Sequence, residues 1–186
     1  MRKIIVSEFI TLDGVIQAPG SADEDTEGGF EHGGWTWPYW DDKIGERLFA
    51  VIGQGESILL GRKTWEIHGA EFEPMAGDDP NQPGFNRMTK YVVSNTLTSA
   101  DAWRRSTIIS SDVIGTIRGL KADDGGDILV DGSGVWTSTL VENGLVDELN
   151  LAVYPIVLGS GKKLFSEATP VPSGGVMTRY VVARPE

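Results

Sequence analysis

An apolar run, Ile58-Leu59-Leu60, stops at Gly61 and passes at once into Arg62, Lys63 and Thr64, ahead of a helix-forming segment through Trp65 and Glu66. That order reads as a strand feeding a helix N-terminus. The unpaired N–H groups of a first helical turn, with the positive end of the helix dipole, make a seat for phosphate, and Arg62 and Lys63 add two point charges beside it. Cations are ordinarily disfavoured at a helix N-terminus, so their presence here points to a bound anion rather than to an ordinary exposed helix start. The layout recurs in Asp127-Ile128-Leu129-Val130-Asp131-Gly132-Ser133-Gly134-Val135-Trp136, where an apolar strand again breaks at small residues and opens a helix. Two phosphate-facing turns suit a dinucleotide.

Other candidates for chemistry lie apart from these turns. Trp35-Thr36-Trp37-Pro38-Tyr39-Trp40 sets three of the six tryptophans just before Asp41 and Asp42. Flat side chains beside a carboxylate suit an amino-substituted heterocycle, although the same rings could pin a loop to the core or form a dimer contact. The two histidines, His32 and His68, show no ligand spacing and are read as structural or solvent-exposed rather than metal-binding. The acids Asp23, Glu24, Asp25 and Glu27 do not follow the calcium-loop pattern and read as a solvated loop. Gly159-Ser160-Gly161-Lys162-Lys163 lacks both the first glycine and the trailing hydroxyl of a phosphate-binding loop and reads as a turn.

Composition narrows the partners. The chain has 186 residues, 40% hydrophobic, which fits one domain, residues 1–186, with a substantial core. A net charge of −11 repels nucleic acid and anionic membrane, so any anion must be held locally. The absence of cysteine excludes disulfides, thiolate metal sites and thiol nucleophiles and fits a reducing compartment. Ile4-Ile5-Val6 is too short for a signal segment, and no run approaches membrane-spanning length, so a cytoplasmic protein is expected.

The elements that must position these residues alternate between strand and helix, the pattern of an α/β architecture with a largely parallel sheet. Strands are predicted at 3–11, 57–60, 90–94, 107–109 and 127–130. Helices are predicted at 41–53, at 112–120 with Asp112 as its cap, and at 134–142 with Asn143-Gly144 as its stop. The alternating segments 147–158 and 176–183 look like a closing antiparallel pair, which would make the sheet mixed. The stretch from Ala18 to Gly34, rich in acids and glycine, has a composition that cannot bury enough surface to order itself and reads as a mobile loop beside the site.

Taken in order, Leu60-Gly61-Arg62-Lys63-Thr64-Trp65-Glu66, Lys90-Tyr91-Val92-Val93-Ser94-Asn95, Ile128-Leu129-Val130-Asp131-Gly132-Ser133-Gly134 and Val146-Asp147-Glu148-Leu149 resemble the dihydrofolate reductase superfamily over nearly the whole chain. Thr11-Leu12-Asp13-Gly14-Val15-Ile16 and the segment from Pro155 to Phe165 are similar to the reductase domain of bifunctional riboflavin-biosynthesis enzymes. The resemblance implies a three-layer α/β/α fold and NADPH-dependent hydride transfer to a small nitrogen heterocycle or its ring-opened sugar derivative, 5-amino-6-(5-phosphoribosylamino)uracil in the riboflavin pathway, often in a homodimer. It places Gly61, Arg62, Lys63 and Thr64 at the pyrophosphate and 2′-phosphate, Ser94 and Asn95 on the adenosine side, and Gly132, Ser133, Gly134 and Val135 at the remaining phosphate. Thr11, Asp13, Trp37 and Trp40 would face the substrate. For the catalytic acid it offers Asp131 in the glycine-rich turn, as in the riboflavin reductases, or Asp41 (or Asp42) at the first helix, as in dihydrofolate reductases. Asp131 could equally cap the helix that follows it. A true dihydrofolate reductase and a nucleotide-binding module without turnover are the alternatives, and acceptance of NADH is left open.

Overall fold

The computed structural model describes residues 1–75, 84–132 and 134–165. Its strands are β1 (Ile4–Thr11), β2 (Gly55–Gly61), β3 (Thr89–Val93), β4 (Ser106–Ile109), β5 (Asp127–Asp131) and β6 (Glu148–Tyr154). The helices are α1 (Asp42–Ile52), α2 (Arg62–Phe72), α3 (Val113–Ala122) and α4 (Gly134–Glu142). The strands form a sheet in the order β4-β3-β2-β5-β1-β6, and every pairing in it is parallel.

A parallel sheet covered on both faces buries both sides of its strands, so the central strands read as unbroken apolar runs rather than alternating ones. Ile58-Leu59-Leu60 and Ile128-Leu129-Val130 are such runs, and all six side chains are buried. Leu59, Val130, Ile128, Ile4 and Val6 face α3 and α4, where Ile117 and Leu140 close the core. Ile58, Leu60, Leu129 and Ile5 face the other way, onto Ile52 of α1 and Trp65 of α2. The result is the three-layer α/β/α arrangement. A third cluster, Val15, Ala18, Phe30, Trp35 and Tyr154, lies beyond the ends of β1 and β6.

Helix boundaries follow local chemistry. Asp41 caps α1 by accepting from the Lys43 N–H at 2.8 Å. After α4, the Gly144 N–H bonds the Val141 carbonyl and the Leu145 N–H bonds the Leu140 carbonyl, the paired pattern that stops a helix at a left-handed glycine. Asp112 departs from expectation. It precedes α3 in the left-handed region, φ +41°, and its side chain makes no capping bond. The expected antiparallel pair is half visible: β6 runs parallel to β1, and its partner at 176–183 lies outside the described residues. No helix of the described residues is long and apolar enough to cross a membrane.

Candidate active site

In an open parallel sheet, ligands sit beyond the carboxyl ends of the strands, where connections to neighbouring strands diverge. Here β5 lies between β1 and β2, although it follows both by far in sequence. The turns leaving β2, β3 and β5 therefore converge, and so do the residues expected to hold a cofactor.

Gly61 closes β2 in extended backbone and leads into α2 with no side-chain cap, so the first-turn N–H groups of α2 have no capping partner from the residue before them. The Arg62 guanidinium bonds Glu66 Oε1 at 2.7 Å and reaches across to Thr96 Oγ1 at 2.8 Å. That second bond ties α2 to the turn after β3. There the Ser94 hydroxyl accepts the N–H groups of Thr96 and Leu97 at 3.2 and 3.0 Å, with exposed Asn95 between them. On the other side, Gly132 follows β5 with φ +72°, and a Cβ built on it would lie 3.1 Å from Thr64 Cγ2. The two turns singled out in the sequence thus touch each other. Gly134 is as tightly placed, since a Cβ there would lie 2.1 Å from Ile16 Cδ1. Val135 is exposed at the start of α4, and Ser133 lies outside the described residues. Backbone bare of side chains, an uncapped helix start and a neighbouring guanidinium fit a phosphate-bearing dinucleotide.

Lys63 is engaged differently. Its Nζ pairs with Asp25 Oδ1 at 2.6 Å, and Lys162 takes the other oxygen of Asp25 at 2.7 Å and Glu27 Oε2 at 2.6 Å. Buried Gln17 joins the same knot, its amide donating to the carbonyls of Asp25 and Glu27 while its Oε1 accepts from the Lys162 N–H. The acidic loop is therefore organised, contrary to the composition argument. Its anchors are Phe30 and Trp35, both buried, and ion pairs to segments distant in sequence, none of which local composition reveals. Partial burial would raise the Asp25 carboxyl, but Lys162 and Lys63 hold it down to about 2. Asp25→Asn should release Lys63 from its 2.6 Å partner and leave Lys162 held by Glu27 alone. Because exposed pairs contribute under about 1 kcal/mol, the expected result is faster amide exchange over 21–34 with little change in melting temperature.

At the end of β5, Asp131 Oδ2 lies 3.0 Å from Nε2 of His68 on α2. The imidazole is packed among Phe72, Phe85 and Trp103, and its Nδ1 is buried without a partner among the described residues. Burial pushes the imidazole toward the neutral form, but the bond and charge of Asp131, with the charges of Glu71 and Glu24, outweigh it and raise the pKa. On the opposite face of the sheet, Glu8 of β1 is buried and accepts from the Thr137 hydroxyl of α4 at 3.2 Å. Burial, then the charge of Asp131, push the Glu8 carboxyl up to about 8. A carboxyl and an imidazole thus meet where β5 ends, an arrangement able to hold and release a proton.

Glu8 and Thr137 are not singled out by the sequence, and His68, expected to be structural or solvent-exposed, instead bonds Asp131 with its Nδ1 buried. Signals existed: Glu8 interrupts an apolar strand in the phase of Ile4 and Val6, and His68 follows Trp65 by three residues on the buried side of a helix. The substrate-side candidates are spread more widely. Thr11 donates to Asp13 at 2.7 Å, and Asp13 accepts the N–H groups of Leu158 and Gly159, so this pair ties the end of β1 to the turn at 158–159. Chiefly the Thr11 bond holds Asp13 down to about 2. Trp37 and Trp40 are partly exposed and pack on each other at 5.8 Å, with Trp40 edge-on to Phe9. Tyr154, ringed by Phe9, Trp35 and Tyr39, buries a hydroxyl with no partner among the described residues and lines a cleft of about 280 Å³ with Tyr39, Ile44 and Ala152. Asp41, spent on its cap, makes no bond to Asp131 or His68. Among the described residues no group of three or more His, Asp or Glu side chains could hold a metal.

The model of the RibD C-terminal domain matches residues 2–173. The chain belongs to that family. It is 30% identical over 168 residues to the uncharacterized protein YyaP of Bacillus subtilis (strain 168), covering 88% of this chain and 80% of that protein. Among solved structures, a putative riboflavin biosynthesis protein from Shewanella sp. PV-4 superposes with a TM-score of 0.60 at 21% identity, covering 91% of this chain and 86% of that one. Dihydrofolate reductases share the fold. That of Enterococcus faecalis, complexed with NADP(H) and RAB-propyl, gives a TM-score of 0.53 at 14% identity over 89% of this chain and 78% of the other. That of Schistosoma mansoni gives 0.52 at 14% identity over 86% and 79%. The chain is thus a RibD C-terminal domain with the fold of the dihydrofolate reductases.

Proposed function

We propose that this RibD-type domain is an NADPH-dependent reductase that transfers hydride to a small heterocyclic substrate resembling 5-amino-6-(5-phosphoribosylamino)uracil, and that it works as a homodimer. The observation that carries the reading is the meeting of Thr64 with Gly132, which sets two phosphate-facing turns beside the Asp131–His68 pair. NADPH, when bound, supplies the hydride, and its phosphates would lie at Gly61 to Thr64 and at the Gly132 turn, with Ser94 and Asn95 beside the adenosine. The protein's own task is orientation and a proton. His68, whose hold on a proton Asp131 strengthens, carries that proton at Nε2, and Asp131 passes it to the nitrogen or oxygen that gains electrons in the substrate. The aromatic residues around Tyr154, with Trp37 and Trp40, offer flat surfaces for the heterocycle.

The dihydrofolate-specific alternative has less support, because α1 carries no acid on its buried side: Gly45 and Ile52 lie there, while Asp42 and Glu46 are exposed. A purified sample should bleach NADPH absorbance with the pyrimidine substrate and not with dihydrofolate. NADPH binding without turnover of any pterin, pyrimidine or flavin precursor would instead make the domain a nucleotide-binding module.

Preference for NADPH over NADH should rest on Arg62, whose partner Glu66 is an exposed neighbour one turn away and easily exchanged for a phosphate. A charge-assisted bond of this kind is worth about 1.5–3 kcal/mol. Calorimetry of Arg62→Ala should therefore show the preference falling at least about tenfold, with a smaller loss in Lys63→Ala because Lys63 is held by Asp25. Equal discrimination in Arg62→Ala and the parent protein would remove Arg62 from the 2′-phosphate.

A further inference from the structure

Two lysines from distant parts of the chain converge on one carboxylate, and one of them belongs to the start of α2. Lys63, the second residue of that helix, gives its Nζ to Asp25 Oδ1 at 2.6 Å, with Glu27 Oε2 behind at 3.7 Å, while Lys162 holds Asp25 Oδ2 at 2.7 Å. The same Asp25 Oδ1 accepts the Glu27 N–H at 3.1 Å. Three donors therefore close on a carboxyl side chain that is only 14% exposed, whereas Lys63 stays 54% exposed and within reach of a ligand. The base of the loop is fixed without this knot: the Gly34 N–H bonds the Ala18 carbonyl at 2.8 Å, the Trp35 indole the Gln17 carbonyl at 2.8 Å, and the Thr36 hydroxyl the Pro19 carbonyl at 2.7 Å. Asp25 can thus leave Lys63 without unmaking the loop. The neighbours of Lys63 in the chain keep to the cofactor side, Arg62 bonded to Thr96 and Thr64 set against Gly132. Of these three residues, only Lys63 is tied to an acid of the loop.

We propose that Asp25 is a built-in competitor for the cofactor: its carboxylate holds Lys63 in the ligand-free protein, a phosphate of NADPH takes that ammonium over, and the segment 23–27 loosens when it does. The inference rests on the reading that sets a cofactor phosphate at Gly61 to Thr64. Position favours the exchange. A phosphate at the start of α2 meets, besides Lys63, the first-turn N–H groups and the positive end of the helix dipole, neither of which Asp25 engages. Asp25 meanwhile keeps Lys162. The loss falls on the tip of the loop, which gives up a tie to α2. Cofactor binding and ordering of the tip therefore oppose each other, and by reciprocity whatever breaks the Asp25–Lys63 pair strengthens the hold on NADPH.

Calorimetric titration of the full chain with NADPH, in the parent and in Asp25→Asn, tests the exchange. Relief from an exposed pair of this kind should tighten NADPH about two- to fivefold. Because Glu27 is near enough to take over, Asp25→Asn combined with Glu27→Gln should tighten it at least as far. The control is Lys63→Ala. In that background Asp25→Asn should change the affinity by less than about 1.5-fold, since the group competed for is gone; a gain that persists undiminished there is the general field of a lost acid and overturns the proposal. Amide exchange gives an independent reading. NADPH should speed exchange across 23–27 in the parent, first at the Glu27 N–H, and should add nothing in Asp25→Asn, where the tie is already cut. Protection of that segment by NADPH in the parent, or an Asp25→Asn variant that binds no tighter, also overturns it. Titration with NADH then locates the phosphate: an Asp25 effect on both cofactors puts Lys63 at the pyrophosphate, and an effect on NADPH alone puts it at the 2′-phosphate. If parent and variants bind NADPH equally and still turn it over, the exchange alone fails; if NADPH does not bind at all, the reductase reading fails and takes the proposal with it.

Discussion

Gly132→Val should weaken NADPH binding about ten- to a hundredfold and lower the melting temperature by several degrees. The residue sits at φ +72°, where any side chain costs about 1–2 kcal/mol and a β-branched one more. Its Cβ would also press on Thr64 at 3.1 Å, closer than nine in ten such contacts, so the first turn of α2 must give way. For a chain of this length each 1 kcal/mol lowers the melting temperature by about 2–4 °C. The affinity loss arises because the displaced elements are the two phosphate seats themselves, and about 1.4–2.8 kcal/mol there gives the stated range. Gly132→Ala, with the same backbone strain but less bulk, should fall between. Calorimetric titration and a thermal melt measure both effects; a valine variant that melts lower yet binds NADPH with unchanged affinity would show that the turn is structural only.

Asp131→Asn should reduce turnover about 10²- to 10⁴-fold, the range expected when a positioned acid–base group is lost. Its effect on nucleotide affinity should be small, within about threefold. The asparagine keeps the shape and can still bond Nε2, but it no longer offers a charge to His68 in its aromatic nest, so burial returns the imidazole to the neutral form. The same variant changes how stability depends on pH. In the parent protein the folded-state pKa of His68 is raised, so the ion pair contributes its full stability below the ordinary histidine value near 6.5 and loses it as pH rises through the raised one. Melting temperatures measured from pH 5 to 9 should fall in both proteins, because buried Glu8 also favours the folded state less as it ionises, but should fall less steeply in Asp131→Asn. Turnover within tenfold of the parent would remove Asp131 from proton delivery.

The parts of this fold that repeat a local rule were legible from residues alone. Ile58-Leu59-Leu60 and Ile128-Leu129-Val130 announce buried parallel strands because burial on both faces leaves no reason to alternate, and the glycine after each announces the turn. The start of α1 was legible because a capping aspartate acts on its own neighbours. What escaped the sequence is whatever depends on contacts across long separations. Asp25 looks like one acid among several until Lys63 and Lys162 are brought to it from 38 and 137 residues away. His68 looks solitary until β5 delivers Asp131, and Glu8 acquires its meaning only when α4 lays Thr137 against it. Asp112 shows the reverse limit: a residue type that favours caps is no guarantee of a cap once the backbone before the helix turns left-handed.

The place of β5 between β1 and β2 bears on how the molecule assembles. In the described sheet, β2, β3 and β4 can pair with one another as soon as they are made, but β1 meets that group only through β5, which arrives more than a hundred residues after β1 ends. Until residue 131 is available, two strand edges wait unpaired, and an intermediate of that kind is exposed to wrong pairing. The same insertion brings Asp131 to His68 and closes Gly132 onto Thr64. Joining β1 to the β2-β3-β4 group and creating the site are therefore one event, and a chain stopped short of β5 would possess neither.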